Sequence, residues 1–197
     1  MVPLSPQELL MVSLAQLWLP ILLSAVFVFL ASSVIHMAFT YHNKEYHGLG
    51  NEDEVRAVLR KANAAPGLYF IPYCADMKQM DTPEMKQKWA EGPNVMLTVS
   101  PAGVPNMGPQ LVQWFVYAVV VSLVAGYIAS RTLAPGAGYL PVFRVVGCVA
   151  FVAYGFAYIP TSIWFKRPWS ATGKDLLDAL IYGLLTAGTF GWRWPVA

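Results

Sequence analysis

Apolar positions run nearly unbroken through four stretches of the chain, residues 17–39, 110–132, 140–165 and 175–194, while polar positions gather between the first and the second. Each stretch is close to the ~20 residues that a helix needs to cross a hydrocarbon core of about 30 Å. The pattern predicts an all-α membrane protein: a four-helix transmembrane bundle with a small α+β extramembrane segment between helices 1 and 2. Ser5-Pro6-Gln7-Glu8 has the form of a helix start, with Ser5 as cap, Pro6 at the first helical position and Glu8 closing a capping box. The first helix is expected over residues 6–41. That is longer than a span requires, so a kink near Pro20 or a tilt is expected. With no Lys or Arg before Lys44 and so long an apolar run, this start does not read as a cleavable signal peptide.

Between residues 42 and 109 the periodicity changes. Val55, Val58, Leu59 and Ala62 recur at helical spacing behind Asn51 as a cap. Glu52, Asp53 and Glu54 open that helix and Arg56, Arg60 and Lys61 follow, the order a helix dipole favours. Pro66-Gly67 ends the unit, and residues 68–73 are β-branched and aromatic enough for a strand. Thr82-Pro83-Glu84 starts a second helix that Gly92-Pro93 stops, and residues 94–100 read as a second strand. The expected order is α-β-α-β, with a Pro/Gly linker from Pro101 to Pro109 leading to the second span. Later connections are short, Ala134 to Gly138 and residues 166–173, so the last three helices run antiparallel as neighbours. Trp114, Trp164, Trp169, Trp192 and Trp194 fall near span ends, where aromatic rings favour the membrane interface.

Composition sharpens this picture. Charged residues make up 12% of the chain, against about 25% in soluble domains. Of the 24 (13 Lys+Arg and 11 Asp+Glu), 15 lie from Lys44 to Glu91, which leaves the spans nearly free of charge. A net charge of +2 does not point to nucleic acid, and two cysteines, Cys74 outside the spans and Cys148 inside one, do not make a disulfide framework. The implied partner is the lipid bilayer. Lys166, Arg167 and Lys174 share a side with the seven Lys/Arg of the long segment, while Arg131, Arg193 and Arg144 lie on or near the other. The positive-inside rule then places both termini outside and residues 42–109 in the cytoplasm.

Small residues recur every four positions on two spans, Ala118, Ser122, Gly126 and Ser130, and Ala179, Gly183, Ala187 and Gly191. Such stripes let helix backbones approach closely in lipid. Packing within the chain is their ordinary use; a membrane partner or a homo-oligomer is the other.

The candidate chemistry lies at one end of the bundle. His36, Gln113, Tyr158 and Asp178, with Thr161 and Ser162, fall at similar depth by the ~1.5 Å helical rise. Ionisable groups inside spans are costly and turn toward a cavity or a partner. His36 with Asp178 is the expected pair, a carboxylate orienting an imidazole in a ligand-binding or proton-relay pocket. A second set, Cys74, Met77 and Met80 with His42 and His47 at the start of the segment, has the soft ligands that select copper(I). Met also fills gaps in small cores, so the ordinary reading is packing with no cofactor, and copper is the alternative. His42, Glu45 and His47 are acid/base candidates, but no phosphate loop, H-E-x-x-H, G-x-S-x-G or C-x-x-C accompanies them, and no catalytic residue is assigned.

The layout, with Arg167-Pro168-Trp169 before the last span, resembles that of small four-helix bacterial inner-membrane proteins. The resemblance implies a location and no residue roles. The leading expectation is a non-enzymatic accessory or scaffold subunit of a membrane complex. The alternative is a small carrier or ligand-binding protein using His36 and Asp178, and the third is a copper-handling protein or membrane-embedded enzyme.

Overall fold

The computed structural model describes residues 11–196, so the Ser5-Pro6-Glu8 helix start lies outside the described residues. The chain forms two compact units, one built from its two ends and the other from His47–Pro105. In the first, a 3-10 turn (Leu14–Leu17) leads into α1 (Trp18–Ala38). Pro20 sits in the first turn of α1, where its missing N–H has no helical partner to lose. The chain changes from 3-10 to α-helix two residues before it, between Leu17 and Trp18. α1 also stops at Ala38 rather than near Tyr41, and a 3-10 helix (Tyr41–Glu45) follows.

The smaller unit contains α2 (Glu52–Lys61), β1 (Gly67–Ile71), α3 (Pro83–Glu91) and β2 (Val95–Val99). Thr82 caps α3, its hydroxyl accepting from the Met85 N–H, and Pro83 occupies the first helical position. β1 and β2 pair antiparallel with Leu68 opposite Thr98 and Phe70 opposite Met96. Leu68, Phe70 and Met96 share one face of this ribbon, and all three are exposed.

In the helical unit, α4 (Met107–Thr132) begins inside the expected Pro101–Pro109 linker. The Asn106 side chain accepts from the Gly108 N–H at 3.0 Å, and Pro109 is tolerated in a first turn. The third apolar stretch is two helices, α5 (Tyr139–Gly155) and α6 (Tyr158–Phe165). Pro160 explains the break, because it has no N–H for the Phe156 carbonyl, which accepts from Ile159 at 3.2 Å instead. α7 (Trp169–Arg193) starts at Trp169 rather than Asp175. Lys166, in the left-handed region at φ 57°, closes α6, and the Pro168 carbonyl already accepts from Ala171 and Thr172. Much of the expected 166–173 loop is thus helix, and Lys174, Asp175 and Asp178 all ride on α7.

Helix makes up 69% of the structure. Among the described residues three helical stretches are long and apolar enough to cross a membrane: Leu14–Ala38, Met107–Thr132 and Tyr139–Phe165. α7 is as long, but its first third carries Lys174, Asp175 and Asp178.

Both small-residue stripes are used inside the chain. A Cβ on Gly183 would lie 3.2 Å from the Phe151 backbone nitrogen, and one on Gly155 would lie 2.9 Å from the Ala179 Cβ. The α7 stripe therefore seats α5 at backbone distance. On α4, Ala118, Ser122, Gly126 and Ser130 are all buried. Ser122 accepts from the Ser24 hydroxyl of α1 at 3.1 Å, and the Phe190 ring fills the space over Gly126. Dispersion between closely set backbones holds such helices together where lipid removes most of the hydrophobic driving force.

Candidate functional site

The polar groups of the helical unit meet where α1 ends and α7 begins. A 3-10 helix has three residues per turn, so His42 and Glu45 stack on one side. On α7, Lys174, Asp175 and Asp178 share a face at spacings of three and four. These two short patterns face each other, and His36, in the last turn of α1, stands beside them.

Asp178 is the hub and is only 4% exposed. Its Oδ2 lies 2.9 Å from His42 Nε2 and 3.8 Å from His36 Nε2. Its Oδ1 accepts a hydrogen bond from the Tyr41 hydroxyl. The other ring nitrogen of His42, Nδ1, is 3.0 Å from Glu45 Oε1, so the imidazole is gripped between two carboxylates. Glu45 in turn receives Lys174 Nζ at 3.2 Å and Arg167 Nη2 at 3.3 Å. Arg167 also pairs with Asp175, and Lys174 donates to the Tyr41 carbonyl at 2.5 Å. His36 and His42 lie close, with ring centroids 4.9 Å apart.

The electrostatics follow from this packing. Burial alone would raise the Glu45 carboxyl, but hydrogen bonds from Lys174 and His42 and their charges outweigh it and hold Glu45 below the usual carboxylate range. Burial raises the Tyr41 phenol far above its usual range, and the hydrogen bond to Asp178 adds to the effect. Tyr41 is thus a fixed proton donor to the hub. Glu45, Asp175 and Asp178 are met by Arg167 and Lys174 and by the His42 ring, held between Glu45 and Asp178 at 3.0 and 2.9 Å.

The expected residues divide clearly. His36 and Asp178 do come together, but His42 is the nearer partner, and His36 has the looser contact with a side chain 54% exposed. Tyr158 stands at the margin, its ring beneath the Arg167 guanidinium at 5.5 Å. Gln113 is exposed on α4 and has no recorded contact with the cluster. In the smaller unit the Cys74 thiol donates to the Asp76 carbonyl, Met77 is exposed and Met80 half-buried. His47 is exposed. His42, expected beside the soft ligands, is engaged by Asp178 and Glu45 instead. Among the described residues, His36, His42 and Asp178 are the histidine, cysteine and carboxylate group close enough to share one ion, with ligand atoms all within 4.8 Å of one another.

Tyr41, Lys174, Asp175 and Arg167 were not expected here. One signal was available: charge at i, i+1 and i+4 in Lys174-Asp175-x-x-Asp178 marks a charged helix face where a lipid-facing span would have none. What the expected 166–173 loop hid is that these residues lie within the helix rather than at its rim. Comparison with known proteins assigns no activity to this cluster: no protein-family model matches the chain, and no curated protein or solved structure is significantly similar to it.

Proposed function

We propose that this chain is a four-span membrane protein of a bacterial inner membrane that binds a small cation at the Asp178 cluster. The first three spans are the apolar stretches ending at Ala38, Thr132 and Phe165. α7 is the fourth, since residues 175–194 have the length of a span, hold Asp175, Asp178 and Arg193 near the two ends, and pack on α5 through the small-residue stripe. Lys166, Arg167 and Lys174 favour a cytoplasmic position for this end of the unit, with the termini outside and residues 42–109 in the cytoplasm. Cys74 provides the check. A membrane-impermeant maleimide should label it only after the inner membrane is opened, and labelling in intact cells would reverse the orientation.

The observation that carries the binding reading is Asp178 itself. A carboxylate 4% exposed in a helix that enters the bilayer is costly to keep. Here two imidazoles and a phenol converge on it from the end of α1 and the 3-10 helix that follows. The test is the thermal stability of the detergent-purified full chain against inorganic cations and small organic amines. A cation at a hundred times its Kd should add about 2.7 kcal/mol to the wild type and nothing to Asp178→Asn. If no cation raises the midpoint of the wild type, the binding reading fails.

One observation favours the accessory-subunit reading as well. Leu68, Phe70 and Met96 form an apolar ribbon face left uncovered in the smaller unit. Exposed patches of this kind mark interaction surfaces. Co-purification with a stoichiometric partner, lost on Leu68→Ser with Phe70→Ser, would support it.

A further inference from the structure

The ligand of this cluster can be named by class. We propose that His36, His42 and Asp178 bind one divalent transition-metal ion of the zinc type, with Glu45 and Tyr41 as outer partners. The inference rests on the cation-binding reading above and narrows it.

Three features carry it. The first is convergence. Two imidazole Nε2 atoms approach the same carboxylate oxygen, Asp178 Oδ2, at 2.9 and 3.8 Å. Zinc bonds of about 2.0–2.2 Å in tetrahedral array separate neighbouring ligand atoms by ~3.3 Å. One histidine–carboxylate contact therefore has to open and the other to close by roughly half an ångström, and the two histidine ligand atoms, which lie within 4.8 Å of each other, have to close by up to ~1.5 Å. His36 is half-exposed at the end of α1 and has the freedom to make the larger move.

The second is the outer shell. Histidine ligands donate their other ring nitrogen to a carboxylate, which fixes the tautomer that leaves the ligating nitrogen bare. His42 Nδ1 faces Glu45 at 3.0 Å in that relation, and its Nε2 is the atom turned to Asp178. Ligating carboxylates are themselves hydrogen-bonded. Asp178 receives Tyr41 on Oδ1, the oxygen not shared by the histidines. Lys174 and Arg167 then hold Glu45 in place. A lone ion pair has no need of two imidazole nitrogens turned to one carboxylate oxygen, with the other oxygen and the other His42 nitrogen each held by a partner of its own.

The third is donor chemistry. Two imidazoles and one carboxylate suit zinc, iron(II), nickel or copper(II), and not the all-oxygen shells of calcium or magnesium. Three protein ligands with one half-exposed member leave a fourth position to water or solute, the form of a site that exchanges its ligand rather than a closed structural one.

The experiment uses the full chain purified in detergent through a tag without histidine, stripped with chelator, then dialysed against zinc and, separately, cobalt(II). The expected result is one ion per chain, with cobalt giving the visible absorption of a four- or five-coordinate site. Glu45→Gln should weaken binding about 10- to 100-fold without removing a ligand, and His36→Ala, which removes one, by at least as much. Asp178→Asn should abolish it. Because Asp178 is a buried hub whose replacement disturbs folding as well as binding, His36→Ala, a half-exposed change, is the deciding variant. Sub-stoichiometric zinc in the wild type overturns the proposal, as does binding that His36→Ala and Glu45→Gln both leave unchanged. If zinc fails but an organic amine stabilises the wild type, the metal assignment falls and cation binding stands. If neither binds, both fall.

Discussion

Replacing Gly155 by alanine tests how the hub is held, because Gly155 packs on Ala179, the residue next to Asp178. The added Cβ would stand 2.9 Å from the Ala179 Cβ and 3.1 Å from Leu176 Cδ2. Carbon atoms rest at about 3.5–4.0 Å, so α5 and α7 must part by roughly 0.6–1 Å at this point, while the leucine end can turn aside. Overpacking of that size costs about 1–3 kcal/mol, and exchanging glycine for alanine in a helix returns up to ~1 kcal/mol. The expected net loss is about 1–2 kcal/mol. Ala179→Gly should lose a similar amount, from helix propensity at ~1 kcal/mol and a missing methyl group at ~0.8 kcal/mol. The double variant moves the methyl group from α7 to α5. Propensity then cancels and the clash is gone, so its stability should lie within about 0.5 kcal/mol of the wild type. The coupling between the sites is then about 3–4 kcal/mol, at or just above the upper end for residues in contact. Unfolding in mixed micelles by SDS titration, followed through tryptophan fluorescence, measures all four proteins. If the double variant loses as much as the two single ones together, the contact does not dictate glycine, and the backbone-distance packing inferred here is wrong.

Other expectations follow from the same contacts. Gly183→Ala meets the Phe151 backbone at 3.2 and 3.3 Å, so no side-chain change on α5 should rescue it, and a second-site screen confined to residue 151 would show this. Lys174→Met removes both the contact to Glu45 and the hydrogen bond to the Tyr41 carbonyl. Amide exchange should quicken across residues 41–46 and not along α7; equal quickening in both would mean that Lys174 stabilises α7 rather than the 3-10 helix. Trp114→Phe keeps an aromatic ring beside Tyr117, Tyr154 and Tyr182 but loses the Nε1 bond to Ser32 at 2.8 Å, and should cost about 0.6 kcal/mol, the average for interhelical hydrogen bonds in membranes. A loss above ~2 kcal/mol would show that the indole packs more than it bonds.

Much of the architecture is written in the chain. Apolar runs located the three stretches that can cross a membrane, since the cost of an unpaired backbone in lipid leaves a helix as the only single-segment solution. Local chemistry placed α3, because Thr82 and Pro83 act on their own turn and need no distant partner. The small-residue stripes announced close packing, and the spacing alone put them on one face. Helix ends fared worse. Proline at 20 reads as a kink or a start according to where the helix begins, and the break at Phe156 depends on which carbonyl Pro160 leaves free.

For the candidate site, counting depth along the helices brought His36 and Asp178 to the same level, because rise per residue is fixed. Rotation about each helix axis is not fixed by sequence. It is set by which faces pack, here Gly155 and Gly183 against Ala179 and Phe151, and that choice turned Asp178 toward the end of α1. The same limit hid His42. In sequence it stands at the start of the segment that carries Cys74, Met77 and Met80, but the 3-10 helix folds Tyr41, His42 and Glu45 back onto α7. Sequence by itself determined that a costly carboxylate lies inside the apolar chain. Only the tertiary structure decided that two imidazoles, a phenol and a second carboxylate surround it, because contacts across more than 130 residues of chain arise from packing and not from local preference.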